Sequence, residues 1–375
     1  MVADAAPPYI DPDQCGVLPP MPLLRTLLSR LLPALVALLS LTGCELVVLS
    51  PQGDVAAQQG QLIVVATVLM LIVIVPVIAL TFFFAWRYRA ANTKATYKPD
   101  WDHSTQLELV IWAVPLLIII ALGAVTWIST HLLDPYRPLD RIGPGRPVPE
   151  GVEPLEIQVV ALDWKWLFVY PEYGVAAVNE VAAPIDRPIR FSITASSAMN
   201  AFYVPALAGM IYAMPGMETK LHAVMNEEGE YEGFSANYSG AGFSHMRFRF
   251  HGLSDEGFDA WIVRARGSGD TLGRSEYLAL EVPSQREPAR LFASVDSGLF
   301  SAIVNRCVDT EHLCMNQMMA YDAVGGLGLG TVDALVRPTR GDLRAGPFVS
   351  AEACTVNDLV AAQQLPVLQG GLKSP

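Results

Sequence analysis

The sequence predicts a membrane hairpin of two α-helices, followed by an extracytoplasmic β-sandwich and a short helical C-terminal segment. Three observations predict it. Two long stretches carry almost no charge. The region 152–266 alternates apolar and polar residues at a period of two. A Pro/Gly-rich stretch, 134–151, separates the two textures.

Composition agrees. Of 375 residues, 52% are hydrophobic and 17% charged, with a mean hydropathy of +0.34, which points to membrane segments. A net charge of −12 excludes nucleic acid as a partner, because phosphate neutralisation needs Lys and Arg. Five cysteines are too few for a disulfide framework.

Residues 1–43 read as an N-terminal extension and an export signal. Residues 1–20 hold Asp4, Asp11 and Asp13 and no basic residue, so they do not resemble a signal start. From Met21 the pattern fits: Arg25 and Arg30 precede an apolar core, Leu31 to Leu41. Either Met21 is the true start, or 1–20 is a dispensable extension. The core ends in Leu41-Thr42-Gly43-Cys44, which resembles a bacterial lipobox and implies cleavage before Cys44 and lipidation (palmitate) on it. The alternative is an ordinary cysteine in an uncleaved segment. Acyl chains add roughly 0.8 kcal/mol per buried CH₂.

Residues 44–133 form the lipid-anchored hairpin. The span 61–86 holds no charge and reaches about 39 Å; the span 107–130 reaches about 36 Å. Each tolerates one proline, Pro76 and Pro115. Between them lie Arg87, Arg89, Lys94 and Lys98, whereas 44–60 carries no Lys or Arg. The positive-inside rule therefore places the loop in the cytoplasm, and the N-terminus and everything after Leu133 outside. This is the inner (cell) membrane topology that a lipidated Cys44 also requires. One acid, Glu108, sits in the first turn of the second span. It is either an interfacial carboxylate at a helix N-terminus or a proton entry point.

After the linker 134–151 come short alternating strands. Ile157, Val159 and Ala161 oppose Glu156 and Gln158; Ile189, Phe191 and Ile193 oppose Arg190, Ser192 and Thr194. Several such strands with Gly and Pro turns predict a β-sandwich over 152–266. In 267–325, "GRSEYLAL" and "LFSAIVNRC" read as short helices, and 326–375 as an irregular tail. A disulfide among Cys307, Cys314 and Cys354 is open, with its pairing unreadable. On one continuous helix Cys307 and Cys314 would stand about 10 Å apart, too far to bridge.

The order of these parts resembles subunit II of the haem–copper respiratory oxidases. "DWKWLFVYPEYGVAAVNE" (163–180) is similar to the aromatic strand opening that family's cupredoxin-like domain, and "ELVIWAVPLLIII" to its second span. "MPGM" and "FSANYSGAGFSHM" (234–246) fall where its copper loop falls. The stretch 285–320 is similar to the extra segment of the quinol-oxidising branch. The copper branch carries Cys-x-Glu-x-Cys-x₃-His-x₂-Met and an upstream His. Here those positions read Ser235, Asn237, Ser239, Phe243 and Met246, with Asn200 upstream. Only Met246 is retained, and neither hydroxyl nor phenyl replaces the soft donors a copper pair needs. His245 is no substitute, since neighbours on a strand face opposite ways.

The resemblance implies a quinol oxidase of the cytochrome o type, with no metal or redox cofactor on this subunit and no cytochrome c as partner. Haem and copper are expected in subunit I, ubiquinol as substrate of the complex, and subunit I, further small membrane subunits and the lipid bilayer as partners. No catalytic residue is expected on this chain. Trp164 and Trp166 mark an aromatic patch that receives electrons in the copper branch; here packing is expected instead. The resemblance also implies that Glu108 lies near a proton channel of subunit I. Two alternatives are a copper-containing cytochrome c oxidase subunit II and a free-standing lipoprotein scaffold.

Overall fold

A computed structural model describes residues 47–96 and 100–323. Cys44, the segments 1–43 and 326–375, and Cys354 lie outside the described residues. Two apolar helices lead the chain: α1 (Asp54–Arg87) and α2 (Thr105–Leu132). Each is long and apolar enough to cross a membrane. Most side chains along both are exposed, as lipid-facing helices require.

α1 begins before its apolar stretch, and its first turns belong to the water-facing part. Val55, Ala56 and Gly60 are buried there. A Cβ on Gly60 would stand 3.1 Å from the Val48 carbonyl, so glycine permits the preceding turn to approach. Just upstream, the amides of Gln52 and Gly53 donate to Ala206 O, and Asn226 N donates to Gln52 O. Gly53 is obligatory: a Cβ would meet the carbonyls of Leu207 and Val224 at 2.6 Å.

Residues 134–151 do not run as a bare connection. They contain a small antiparallel pair, β1 (Arg141–Gly143) and β2 (Arg146–Pro147). Arg141 grips Asp54 through Nε–Oδ2 (2.9 Å) and Nη2–Oδ1 (3.2 Å), and Gln58 Nε2 adds a bond of 2.8 Å. Asp54 is only 4% exposed. Arg146 holds Asp186 with two bonds of 2.8 and 3.0 Å, and Asn226 Nδ2 donates to both Ile142 O and Asp186. Burial raises the Asp186 carboxyl, but the hydrogen bonds from Arg146 and Asn226 outweigh it and hold it below the carboxylate range.

The sandwich follows: β3 (Leu155–Leu162), β4 (Lys165–Tyr170), β5 (Val175–Val178), β6 (Glu180–Pro184), β7 (Ile189–Ala195), β8 (Asn200–Tyr203), β9 (Ile211–Ala213), β10 (Thr219–Ala223), β11 (Gly229–Ser235) and β12 (Arg247–Leu253). Next come α3 (Asp255–Arg266), β13 (Thr271–Leu272), α4 (Arg274–Glu281), β14 (Arg290–Phe292), β15 (Ser294–Val295), α5 (Leu299–Val304) and α6 (Met315–Ala323). One sheet has the order β10-β7-β3-β4-β5-β14, the other β6-β12-β11-β8-β9.

Between the sheets lie Phe168, Phe191, Phe202 and Phe248, the last two stacked at 5.4 Å. The alternating positions Ile157, Val159, Ile189 and Ile193 point into this core, as the period of two predicts. The opposite face of the six-stranded sheet is also covered. Val160, Leu162, Leu167 and Val178 pack against Leu272, Tyr277, Phe292 and Ile303 of the C-terminal segment. This explains why β4 and β5 are buried at every position rather than at alternate ones.

α3 escaped the sequence reading. Its signals are present: Ser254 caps it by accepting from Gly257 N, and Phe258, Trp261, Ile262 and Ala265 form one buried stripe. Trp261 Nε1 and Arg264 both bond Glu180 Oε1, at 2.6 and 2.8 Å. Cys307 and Cys314 form a disulfide with Cα atoms 4.8 Å apart. The bridge is possible because α5 ends at Val304 and α6 begins at Met315, so the two cysteines share no helix.

His222 and His251 make stability fall as the medium is acidified. Desolvation lowers both imidazoles below their ordinary value of about 6.5, His251 despite the opposing pull of Glu180. Between the folded and unfolded pKa the unfolded chain binds more protons, so stability is lost as pH falls through about 6.5. Asp186 acts in the same direction at lower pH: its contribution, present above the unfolded carboxyl pKa of about 4, disappears as pH drops through the depressed folded value. Guanidinium unfolding followed by tryptophan fluorescence should show a midpoint that declines from pH 7 to pH 5. His251→Gln should flatten that decline; an unchanged slope contradicts the assignment.

Candidate functional site

The loop between β11 and β12 is where the sequence places copper-ligand positions, and several of them converge. Ser235 ends β11 and Asn200 begins β8, and these strands are paired. Ser235 Oγ lies 3.1 Å from Asn200 Oδ1 and 3.2 Å from the Asn237 carbonyl oxygen. Phe243 and Met246 line the same open cleft as Ser235, about 280 Å³ in volume. Asn237 turns its amide away, donating to Met199 O at 3.1 Å.

Ser239 stands apart from that cleft. Its carbonyl accepts from Trp164 Nε1 at 3.0 Å, and its buried hydroxyl has no partner among the described residues. The two tryptophans part company. Trp164 is half-buried and lies flat on the loop glycines. Trp166 is fully buried between the sheets, edge-on to Phe202 at 5.4 Å and Phe248 at 5.6 Å. No cluster of three or more His, Cys, Asp or Glu able to hold a metal occurs among the described residues.

The donor set does not suit copper. A copper pair cycling through Cu(I) needs bridging thiolates and imidazoles. Here two hydroxyls, two amides, a phenyl ring and one thioether occupy the corresponding places. They bond one another instead: Ser235 Oγ donates onward, and Ala201 N reaches it at 3.4 Å. The expectation that 243–246 is strand needs correction. Phe243–His245 is a 3₁₀ turn, and β12 starts only at Arg247. His245 still points elsewhere, with its Nε2 3.2 Å from Arg286 of the C-terminal segment, while Met246 is buried.

That segment is pinned over the turn before β4. Lys165, only 1% exposed, donates from Nζ to Val282 O (2.9 Å), Ser284 Oγ (2.7 Å) and Asp163 O (3.3 Å). Desolvation lowers its pKa. Asn179, at φ +55°, bridges Trp166 N and Glu287 O. Neither residue was singled out from sequence; a lysine opening an otherwise apolar strand, "KWLFVY", was the signal.

On the other side of the membrane segment, Glu108 is half-exposed in the first turn of α2. Its Oε1 lies 2.7 Å from His103 Nδ1, and His103 Nε2 lies 3.1 Å from Thr105 Oγ1. Sequence reading missed His103, which precedes the helix and reaches it only because the chain turns there.

A paired-helix membrane hairpin bearing this sandwich defines the subunit II class of terminal oxidases. The family described as "Cytochrome C oxidase subunit II, periplasmic domain" matches residues 173–252, and "COX Aromatic Rich Motif" matches 266–311. "Cytochrome bo(3) ubiquinol oxidase subunit 2" of Pseudomonas putida is 50% identical over 279 residues, covering 74% of this chain and 86% of the relative. Its counterpart of the same description in Pseudomonas aeruginosa is 50% identical, covering 72% and 78%. "Ubiquinol oxidase subunit 2" of Acetobacter aceti is 47% identical, covering 74% and 89%. The chain belongs to the ubiquinol oxidase subunit 2 family.

The loop glycines are set by Trp164. A Cβ on Gly242 would stand 2.4 Å from its ring, and one on Gly240, at φ +111°, 3.1 Å. Gly242→Ala should therefore unseat the indole, costing about 1–3 kcal/mol as other overpacked sites do. Red-shifted tryptophan emission and a lower unfolding midpoint are expected. A variant with wild-type emission and stability removes this account of the loop.

Proposed function

We propose that this chain is the cofactor-free, non-catalytic subunit II of a proton-pumping ubiquinol oxidase of the cytochrome o type. Its hairpin packs on subunit I, its sandwich caps that subunit on the periplasmic side, and Cys44 carries a lipid. The observation carrying the reading is the set Asn200, Ser235, Asn237, Ser239 and Phe243. Ser235 meets Asn200 and shares a cleft with Phe243, while Asn237 and Ser239 lie in the same loop, and none of the five offers a thiolate or imidazole. A domain so equipped has no means to relay electrons from a water-soluble donor. Electrons from a membrane-dissolved quinol need no such relay, since they enter haem-bearing subunit I directly. The names of the relatives at 47–50% identity support the same reading.

Trp164 and Trp166 have packing roles here: one seats the loop, the other fills the core. The positive loop at 87–98 supports a cytoplasmic turn, and hence a periplasmic sandwich. Affinity purification in mild detergent tests the assignment. The chain should bring a haem-containing partner, no copper in its own sandwich, and an oxidase activity driven by ubiquinol rather than by reduced cytochrome c. Stoichiometric copper with thiolate charge-transfer bands on this chain overturns the reading.

Glu108 serves as the proton entry point toward subunit I, a role supported by its exposed place at a helix N-terminus with His103 beside it. In the assembled complex, Glu108→Ala should slow turnover several-fold, most at high pH where bulk protons are scarce, while leaving assembly intact. Wild-type turnover and pumping across the pH range would remove this role.

A further inference from the structure

A second cleft, about 250 Å³, opens where the outer ends of α1 and α2 meet the sandwich. Asp54 and Gln58 of α1, Arg137 and Arg141 of the connecting segment, and His222 of β10 supply its polar wall. Leu132 and Leu133 from the end of α2, together with Met210 and Leu221, supply its apolar wall. Immediately along the helices lie exposed apolar side chains, including Ile63, Val64, Trp127 and Ile128, so the cleft sits at the outer boundary of the hydrocarbon layer.

His222 makes this cleft specific. It is 8% exposed, and its Nδ1 bonds Pro135 O at 3.1 Å. That bond fixes the proton on Nδ1 and leaves Nε2 an acceptor. No partner for Nε2 is present among the described residues, although the imidazole lines the cleft. The remaining charges are largely spoken for. Arg141 pairs with Asp54 and Arg137 with Asp140. The Asp134 carboxylate accepts from the Tyr136 amide, and among the side chains lining the cleft Asp54, Asp134 and Asp140 outnumber Arg137 and Arg141 by one.

We infer that this cleft binds the headgroup of a phospholipid with a protonated primary amine, phosphatidylethanolamine, its ammonium donating to His222 Nε2 and its phosphate facing Arg137 and Arg141. The chemistry selects this headgroup. A choline has no N–H to give the imidazole. A phosphatidylglycerol headgroup has a donor, but adds negative charge to a site already in acidic excess. The apolar wall receives the glycerol and the first acyl carbons, and the cleft volume suits a headgroup rather than a whole lipid. A lipid seated here would touch both helix ends and the sandwich at once.

Native mass spectrometry of the full chain and of the assembled complex, after delipidation in detergent, tests this. One phosphatidylethanolamine per chain should survive in both. On back-titration, dioctanoyl phosphatidylethanolamine should bind at least about tenfold more tightly than the choline or glycerol analogues. His222→Asn, whose amide still reaches Pro135 O, should lose about tenfold in binding without change in melting temperature. His222→Gln, whose amide oxygen extends to where Nε2 stood, should retain most of it. Equal binding of the three headgroups by the wild-type chain overturns the inference, as does undiminished retention in His222→Asn. Lipid on the isolated chain but none in the complex, where a neighbouring subunit fills the cleft, overturns it as well.

Discussion

The structure depends on one constraint: the six-stranded sheet has two apolar faces, and both must be covered. One is covered by the five-stranded sheet, the other by the segment after residue 267. Burying that second face removes from water side chains such as Leu162, Leu167 and Val178, each worth about 1.5–3 kcal/mol. The C-terminal segment is thereby an integral layer. Once it lies there, Lys165 has to be buried, and the carbonyls of Val282 and Asp163 with Ser284 Oγ are what make that tolerable. The same segment delivers Arg286 to His245, so the edge of the β11–β12 loop rests on the second layer.

The loop holds its shape by hydrogen bonds among Ser235, Asn200, Asn237 and Ala201, and by an indole laid on two glycines. Each net hydrogen bond contributes only about 1 kcal/mol. The loop therefore leans on Trp164 and on the buried Met246 and Phe248 beneath it. Trp166, held in the core by Asn179 at its amide, supplies the rigid floor. Its indole N–H lacks a partner among the described residues, a cost that the aromatic packing around it offsets.

At the membrane, rigidity comes from short-range contacts rather than from the helices. Gly53 admits the chain between two carbonyls, Asp54 is clamped by Arg141, and the Pro135 carbonyl takes both nitrogens offered by His222. Breaking a buried pair such as Asp54–Arg141 leaves an uncompensated charge, so the attachment tolerates little change. The two helix ends and the sandwich are thus held together by contacts in this one region.

The sequence by itself determined the membrane hairpin, because a run of uncharged residues has few other uses, and the sandwich, because the pleat imposes a period of two. It also showed that the residues at 200, 235, 239 and 243 carry neither thiolate nor imidazole. What only the tertiary structure decided were contacts between distant segments. α3 was legible in its cap and stripe, yet its stripe length is ordinary and its partner Glu180 is 81 residues away from Trp261. Trp164 and Trp166 would share a face on one strand; they divide their roles because Trp164 lies in the turn before β4 while Trp166 is inside the strand and points between the sheets. The Cys307–Cys314 pairing required knowing where one helix stops and the next begins. His222 beside Pro135 required the fold to bring together residues that local pattern never relates, because hydrogen bonds are set by distance in space and periodicity reports only which face a residue is on.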